Sequence, residues 1–327
     1  MRYRATVIYL IAASIAAGLY FFDLRHRKDQ TRQEEKAKRL IQTEFNNVET
    51  ISFEKSSVRI VLNKKSDSSE EWTLAEPIKS PTEKFAVEQL KKDLSELKYS
   101  RLIIDNPENL SQFGLDDPSL TIKFTTKKES GSIFFGTQNP SEDGFYTSTG
   151  YDGKVFLIDK SAKDKVDISL YQLREKRLFS ISFDKVKKFI IERDSEKWIL
   201  IKKDGSWQFK SDSNFKVEPK KIDSLVRMFV MSEALSFEKE NSNALESFGL
   251  EKPSAEISLS DEKTSQKILL GRPFDKDDSK IYAKMSNRPQ IITVNKWLLS
   301  DLPKSRQLIK NITEDQKKEK KIKPDNS

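Results

Sequence analysis

Two stretches of the chain repeat each other at a nearly constant spacing, and this constrains the fold more than any single motif. The block Asn106–Ser119 (NPENLSQFGLDDPS) recurs 135 residues later as Asn241–Ser254 (NSNALESFGLEKPS), sharing N-x3-L-x2-F-G-L-x2-P-S. Trp72 recurs as Trp207 and Phe135-Gly136 as Leu270-Gly271 at that spacing, and Tyr146 recurs as Tyr282 at 136. Lys38-Arg39-Leu40, Phe45 and Val48 recur as Lys176-Arg177-Leu178, Phe183 and Val186 at 138. A period this long exceeds any solenoid unit, so each copy is a whole domain. The 327 residues divide into an anchor segment at 1–22, a charged stalk at 23–40, repeats at 41–175 and 176–310, and a tail at 311–327.

Local patterns give each copy the same elements. Val58, Ile60 and Leu62 alternate with Arg59, Val61 and Asn63, the period of a half-buried strand. Trp72-Thr73-Leu74 reads as a further strand, and Ser80-Pro81-Thr82-Glu83 as a helix start, with Ser80 capping and Glu83 closing a capping box. Val87, Leu90, Leu94 and Leu97 share one face of that helix, and Ile222, Leu225 and Phe229 share its counterpart. Asn106 and Asn241 are expected N-caps of a short helix, Gly114 and Gly249 left-handed helix ends, and Leu115 and Leu250 residues that tuck back. Pro118 and Pro253 lead into strands, and further strands are expected around Ile133–Phe135, Phe145–Ser148 and Val155–Ile158. The predicted order is three strands, a helix, a short helix and four strands. Clustered strands predict an α+β fold: a transmembrane helix followed by two similar, mainly antiparallel-sheet repeats.

The anchor is read from Ala5–Phe22 (ATVIYLIAASIAAGLYFF), 18 residues without a charge. At ~1.5 Å per residue they span about 27 Å, enough for a thin hydrocarbon core. Small residues Ser14, Ala16 and Ala17 offer a signal-peptidase alternative, but the apolar run continues past them and favours an uncleaved single-pass helix. The stalk 23–40 has no Pro or Gly, and Glu34–Lys38 and Glu35–Arg39 support a helix. Of the net charge of +8, residues 1–40 carry nine Lys/Arg against four Asp/Glu, while 41–310 carry 45 against 43. Positive charge beside an apolar segment suits anionic lipid rather than nucleic acid, and no nucleic-acid partner is expected. Two Lys/Arg precede the anchor and seven follow within the stalk, a bias that by itself favours a cytoplasmic body.

Together the anchor, the repeated F-G-L-x2-P-S turns, Gly136 and Gly271, and the Lys-Arg-Leu triplets at Lys38 and Lys176 resemble the domain of unknown function 4340 family. The resemblance covers residues 1–310. It implies a bacterial single-pass membrane protein of a kind often encoded beside ABC-transporter genes of the gliding-motility type, with its body outside the cytoplasm. It supplies no catalytic residues.

The chemistry available is narrow. The chain has no cysteine and one histidine, His26, which removes disulfides, thiolates, and nearly all histidine-based catalysis and zinc binding. The F-G-L turns could form paired binding surfaces, although each residue already has a structural role. Trp72 and Trp207 could serve as stacking platforms for a ligand, against the commoner reading of core aromatics. Gly131–Gly136 (GSIFFG) lacks the lysine and helix start of a phosphate loop. Asp116-Asp117, Glu142-Asp143 and Asp275–Asp278 lack the alternation of a calcium loop and read as solvated turns. Neither cofactor nor metal is expected. The leading expectation is a non-catalytic membrane-anchored envelope accessory whose partners are the lipid bilayer and ABC permease subunits. An extracytoplasmic binding module for polysaccharide, peptide or lipid, and a carboxylate-dependent hydrolase, are the alternatives.

Overall fold

The computed structural model describes Tyr20, Phe22, Arg25 and residues 33–310 other than 44, 56–57, 67–69 and 151–152. Apart from Tyr20 and Phe22, the Ala5–Phe22 anchor lies outside these residues, as do His26 and the 311–327 tail. Among the described residues no helix is long and apolar enough to cross a membrane. The chain forms two compact units that divide between Glu175 and Lys176.

The first unit runs β1 (Val48–Lys55), β2 (Val58–Lys64), β3 (Trp72–Glu76), β4 (Ser80–Pro81), α1 (Lys84–Ser95) and β5 (Arg101–Ile104). It continues through β6 (Leu120–Thr126), β7 (Ser130–Gln138), β8 (Gly144–Thr149), β9 (Val155–Asp159), α2 (Lys160–Val166) and α3 (Leu170–Leu173). The strands form one sheet in the order β4-β3-β2-β1-β6-β7-β8-β9-β5. The second unit contains β10 (Lys188–Arg193), β11 (Glu196–Lys203), β12 (Ser206–Phe209), α4 (Pro219–Val230) and β13 (Ser236–Lys239). It ends with β14 (Ala255–Ser260), β15 (Ser265–Phe274), β16 (Asp277–Met285), β17 (Ile291–Asn295) and α5 (Trp297–Ser300). Its order, β12-β11-β10-β14-β15-β16-β17-β13, repeats that of the first unit strand for strand once the two-residue β4 is set aside. The two copies thus share one mainly antiparallel α+β topology.

Hydrophobic periodicity explains the packing. Val87, Leu90 and Leu94 of α1 are buried against Leu62, Trp72, Leu74 and Phe124 of the sheet. In the second unit Ile222, Val226 and Phe229 of α4 meet Phe189, Leu200 and Phe209. Each helix is clamped at both ends by the chain. At its exit, Leu40 N–H bonds Leu97 O (3.0 Å) and Tyr99 N–H bonds Lys38 O (3.0 Å), matched by Leu178 to Ser232 (3.1 Å) and Ala234 to Lys176 (2.8 Å). At its start, Glu83 N–H bonds Leu173 O at 2.9 Å and Glu218 N–H bonds Ile309 O at 2.8 Å. The Lys-Arg-Leu triplets are therefore straps of the folded units. The helix over the described part of the stalk ends at Ala37, short of Leu40.

Three expectations need correction. Ser80 does not cap α1: Ser80–Pro81 pairs with β3, and Glu83 is the cap, accepting from Phe85 N (3.2 Å) and Ala86 N (2.6 Å). Its carboxylate reaches the free amides of the first turn and takes the place a serine usually fills. Asn106 is no helix cap either; it sits in a left-handed conformation (φ 55°), and the helical turn begins after Leu110. Asn241 likewise lies ahead of a turn that starts at Glu246. Finally, β5 and β13 were absent from the expected order. They follow the helix and close the far edge of each sheet, with Arg101 opposite Leu157 and Ser236 opposite Thr293.

Burial sets the energetic scale. Leu94 is fully buried and Phe85, on the same helix, is 73% exposed. Leu94→Ala should destabilise the protein by about 2–5 kcal/mol in urea unfolding, whereas Phe85→Ala should stay within about 0.5 kcal/mol. Equal effects would show that α1 packs by another face.

Candidate functional site

The repeated F-G-L-x2-P-S block builds the same object twice. Residues Ser111–Phe113 form one helical turn that ends at Gly114 with φ 64°; Glu246–Phe248 end at Gly249 with φ 66°. Leu115 N–H bonds Leu110 O at 3.2 Å and Gly114 N–H bonds Ser111 O at 3.0 Å, the paired bonds of a Schellman motif. Leu250 to Leu245 (3.0 Å) and Gly249 to Glu246 (2.9 Å) repeat it. Leu115 and Leu250 are buried, as a tuck-back residue requires. Past Pro118 and Pro253, Ser119 N–H bonds Phe135 O and Ser254 N–H bonds Leu270 O, both at 2.8 Å, opening β6 on β7 and β14 on β15.

The turn lies directly on the next strand. A Cβ at Gly136 would sit 2.0 Å from Phe113 O, and one at Gly271 would sit 2.3 Å from Phe248 O. Phe113 packs edge-on against Tyr146 and Phe248 against Tyr282, ring centres 5.0 Å apart in both units. The Phe, Gly, Leu and Ser positions of the motif thus each have a structural role.

The second copy adds polar bonds around this turn. Arg272 donates to Ser247 O at 2.8 Å and forms a bidentate pair with Asp275, whose other contact is the Tyr282 hydroxyl at 3.0 Å. The Arg272 and Tyr282 contacts hold the Asp275 carboxyl below its ordinary range. The neighbouring Asp277 accepts from Ser279 Oγ (2.6 Å) and N (3.0 Å) and pairs with Lys280 at 3.0 Å. These contacts, the Ser279 hydroxyl first, lower its pKa to about 2. The Asp275–Asp278 stretch is therefore a hydrogen-bonded hairpin end. Among the described residues no three His, Asp or Glu side chains converge on a metal-sized point.

The tryptophans and the glycine stretch are placed differently from a ligand site. Trp72 and Trp207 are buried at 5% and 4% exposure, so neither offers a ring face for stacking. Lys91, itself buried, stands 6.0 Å from the Trp72 ring and pairs with Glu88 at 3.0 Å. Trp207 Nε1 donates to Asp223 at 2.8 Å. Gly131–Gly136 lies within β7, not in a loop.

Two grooves were not legible in the sequence. One, of about 590 Å³ in the first unit, is lined by charged groups including Arg39, Asp93, Glu96 and Lys98. The other, of about 610 Å³ in the second unit, lies between α4 and residues 300–309. The signal for it was a second apolar stripe on α4, Leu225 and Met228, beside the buried one.

Fold and turns define a tandem of one antiparallel-sheet module, each copy pinned by an F-G-L turn. The chain belongs to the domain of unknown function family DUF4340, whose model matches residues 72–208 and again 207–313. The matched segments begin at Trp72 and Trp207, equivalent residues one period apart, whereas the compact units divide at Glu175. No curated protein and no solved structure matches the chain.

Two measurements test this reading of the turns. Gly114→Ala should destabilise by about 1 kcal/mol or more through its positive φ and the Thr137 side chain 2.6 Å from the added Cβ, and Gly136→Ala by about 2–3 kcal/mol, because the Phe113 carbonyl cannot yield. Chemical denaturation giving the reverse order would remove the close approach as the governing contact. Asp277 has a folded pKa below its usual 3.8, so its stabilisation is present above about pH 4 and is lost as pH falls toward about 2. Asp277→Asn should flatten that part of the acid-unfolding curve, and an unchanged curve would exclude the carboxylate as its source.

Proposed function

We propose that the protein is a non-catalytic, membrane-anchored accessory of the cell envelope that assists an ABC-type transport system, with residues 41–310 on the extracytoplasmic face. One observation carries the reading: the uncharged Ala5–Phe22 run leads, after 15 residues, into Lys38–Leu40, which are hydrogen-bonded into the first unit. Fifteen residues reach at most about 54 Å, so a bilayer holding that run keeps the unit close to membrane partners. The sheet edge at β5 supports a protein partner, since Leu102 and Ile104 are 44% and 37% exposed beside unpaired backbone. The family resemblance supplies the transport context.

Crosslinking in intact cells, followed by isolation of the full chain from carbonate-washed membranes, should bring down an ABC permease subunit. Removing residues 1–22 should abolish both membrane retention and that capture. Protease added to spheroplasts should digest the body. Release of the full chain by carbonate, capture of no ABC component, or protection of the body until lysis would each contradict the corresponding part.

A further inference from the structure

The groove of the second unit has a chemistry that the first unit does not share. Its floor is Leu225 and Met228 of α4 with Leu302 and Ile309, and Leu308, 55% exposed, forms a lip. Lys220, Lys221 and Lys304 stand at its rim, with Asp301 the acidic residue among the lining groups. Lys221 is occupied, pairing with Glu218 at 3.1 Å and donating to Leu308 O at 2.8 Å. Lys220 and Lys304 have no ion-pair partner among the described residues. Helical spacing places Met231, 71% exposed, on the same stripe as Lys220, Ser224 and Met228, so the apolar strip runs on past the end of α4.

Comparison of the copies shows where this came from. At the 135-residue spacing, Met228 replaces Asp93 and Lys220 replaces Phe85. At 136, Lys304 replaces Ile168, which in the first unit packs against the core. The other floor residues have apolar counterparts (Leu90, Val166 and Leu173), so the second copy differs by one apolar floor residue, Met228, and by two cations at the rim. Concave apolar sites of a few hundred Å³ with a few placed polar groups are the usual form of small-ligand sites.

We propose that this groove binds a single acyl chain bearing an anionic head, its methylenes along Leu225, Met228, Leu302 and Ile309 and its head against the Lys220 and Lys304 ammonium groups. The proposal stands apart from the transport reading. A carboxylate matches the two unpaired lysines, and an unbranched chain matches the apolar floor, since the Ser224 and Ser300 hydroxyls of the lining donate to Lys220 O and Asp301.

Methionine methyls report on it directly. The chain has four methionines. Met228 lines the groove, while Met285 is buried at 1% exposure in the core. The whole chain with ¹³C-methyl methionine, in the presence of phosphatidylcholine nanodiscs, is titrated with decanoate, laurate and myristate. The Met228 resonance should shift saturably while Met285 stays fixed, and affinity should tighten about fourfold for each added methylene. The double variant Lys220→Glu, Lys304→Glu should bind laurate about tenfold or more weakly and dodecanol unchanged. An unmoved Met228 signal, equal movement of Met285, or equal loss of laurate and dodecanol would overturn the proposal. So would a Met228 signal that answers phosphatidylglycerol nanodiscs or an acidic amphipathic peptide but not laurate.

Discussion

The contact on which each unit depends is the approach of the F-G-L turn to the strand behind it. Phe113 O and Phe248 O lie so near Gly136 and Gly271 that any side chain there would overlap the carbonyl. Backbone held in a hydrogen-bonded turn cannot be moved aside as a flexible side chain can, so glycine is the residue the site accepts. The turn then fixes where the next strand begins. Ser119 and Ser254 each take up the first bond to the facing strand at 2.8 Å, which sets Leu120 opposite Phe135 and Ala255 opposite Leu270. A one-residue slip would send every core side chain of β6 or β14 to the wrong face.

From that register the rest of the module follows. β6 and β14 sit in mid-sheet, pairing β1 and β10 on one side and β7 and β15 on the other. The helices α1 and α4 pack on the strands so aligned, and the straps before and after each unit lock both ends of the helix. The same order of eight strands appears in both units although few residues between the motifs are identical. Packing and backbone bonding, more than side-chain identity, are what the repeat preserves.

Much of this was legible in the sequence because periodic patterns and turn chemistry are local. The repeat, the left-handed glycines, the tucked leucines, the sheet-rich α+β class and the main helix all follow from spacing. What escaped depends on contacts between distant residues. Arg101–Ile104 is four residues long, largely exposed and without alternation, and it becomes a strand only through its pairing with β9. Glu83 took the cap expected of Ser80 because Ser80–Pro81 was drawn into an edge pairing with β3. The Lys-Arg-Leu triplets were legible as repeated positions, but their role as straps depends on backbone partners far along the chain, at Leu97 and Ser232. The second groove lies between α4 and residues 300–309, far apart in sequence, so the Leu225 and Met228 stripe becomes its floor only in the fold.

The two copies therefore differ at their surfaces over a shared frame, with a charged groove in the first and a more apolar one in the second. The frame rests on the pinned turns, and amide hydrogen exchange tests this most directly. If the turns hold the register, the Ser119 and Ser254 amides should be protected as strongly as those of the central strands β1 and β10, exchanging only on global unfolding. Exchange of Ser119 and Ser254 at loop rates, with β1 and β10 still protected, would contradict it.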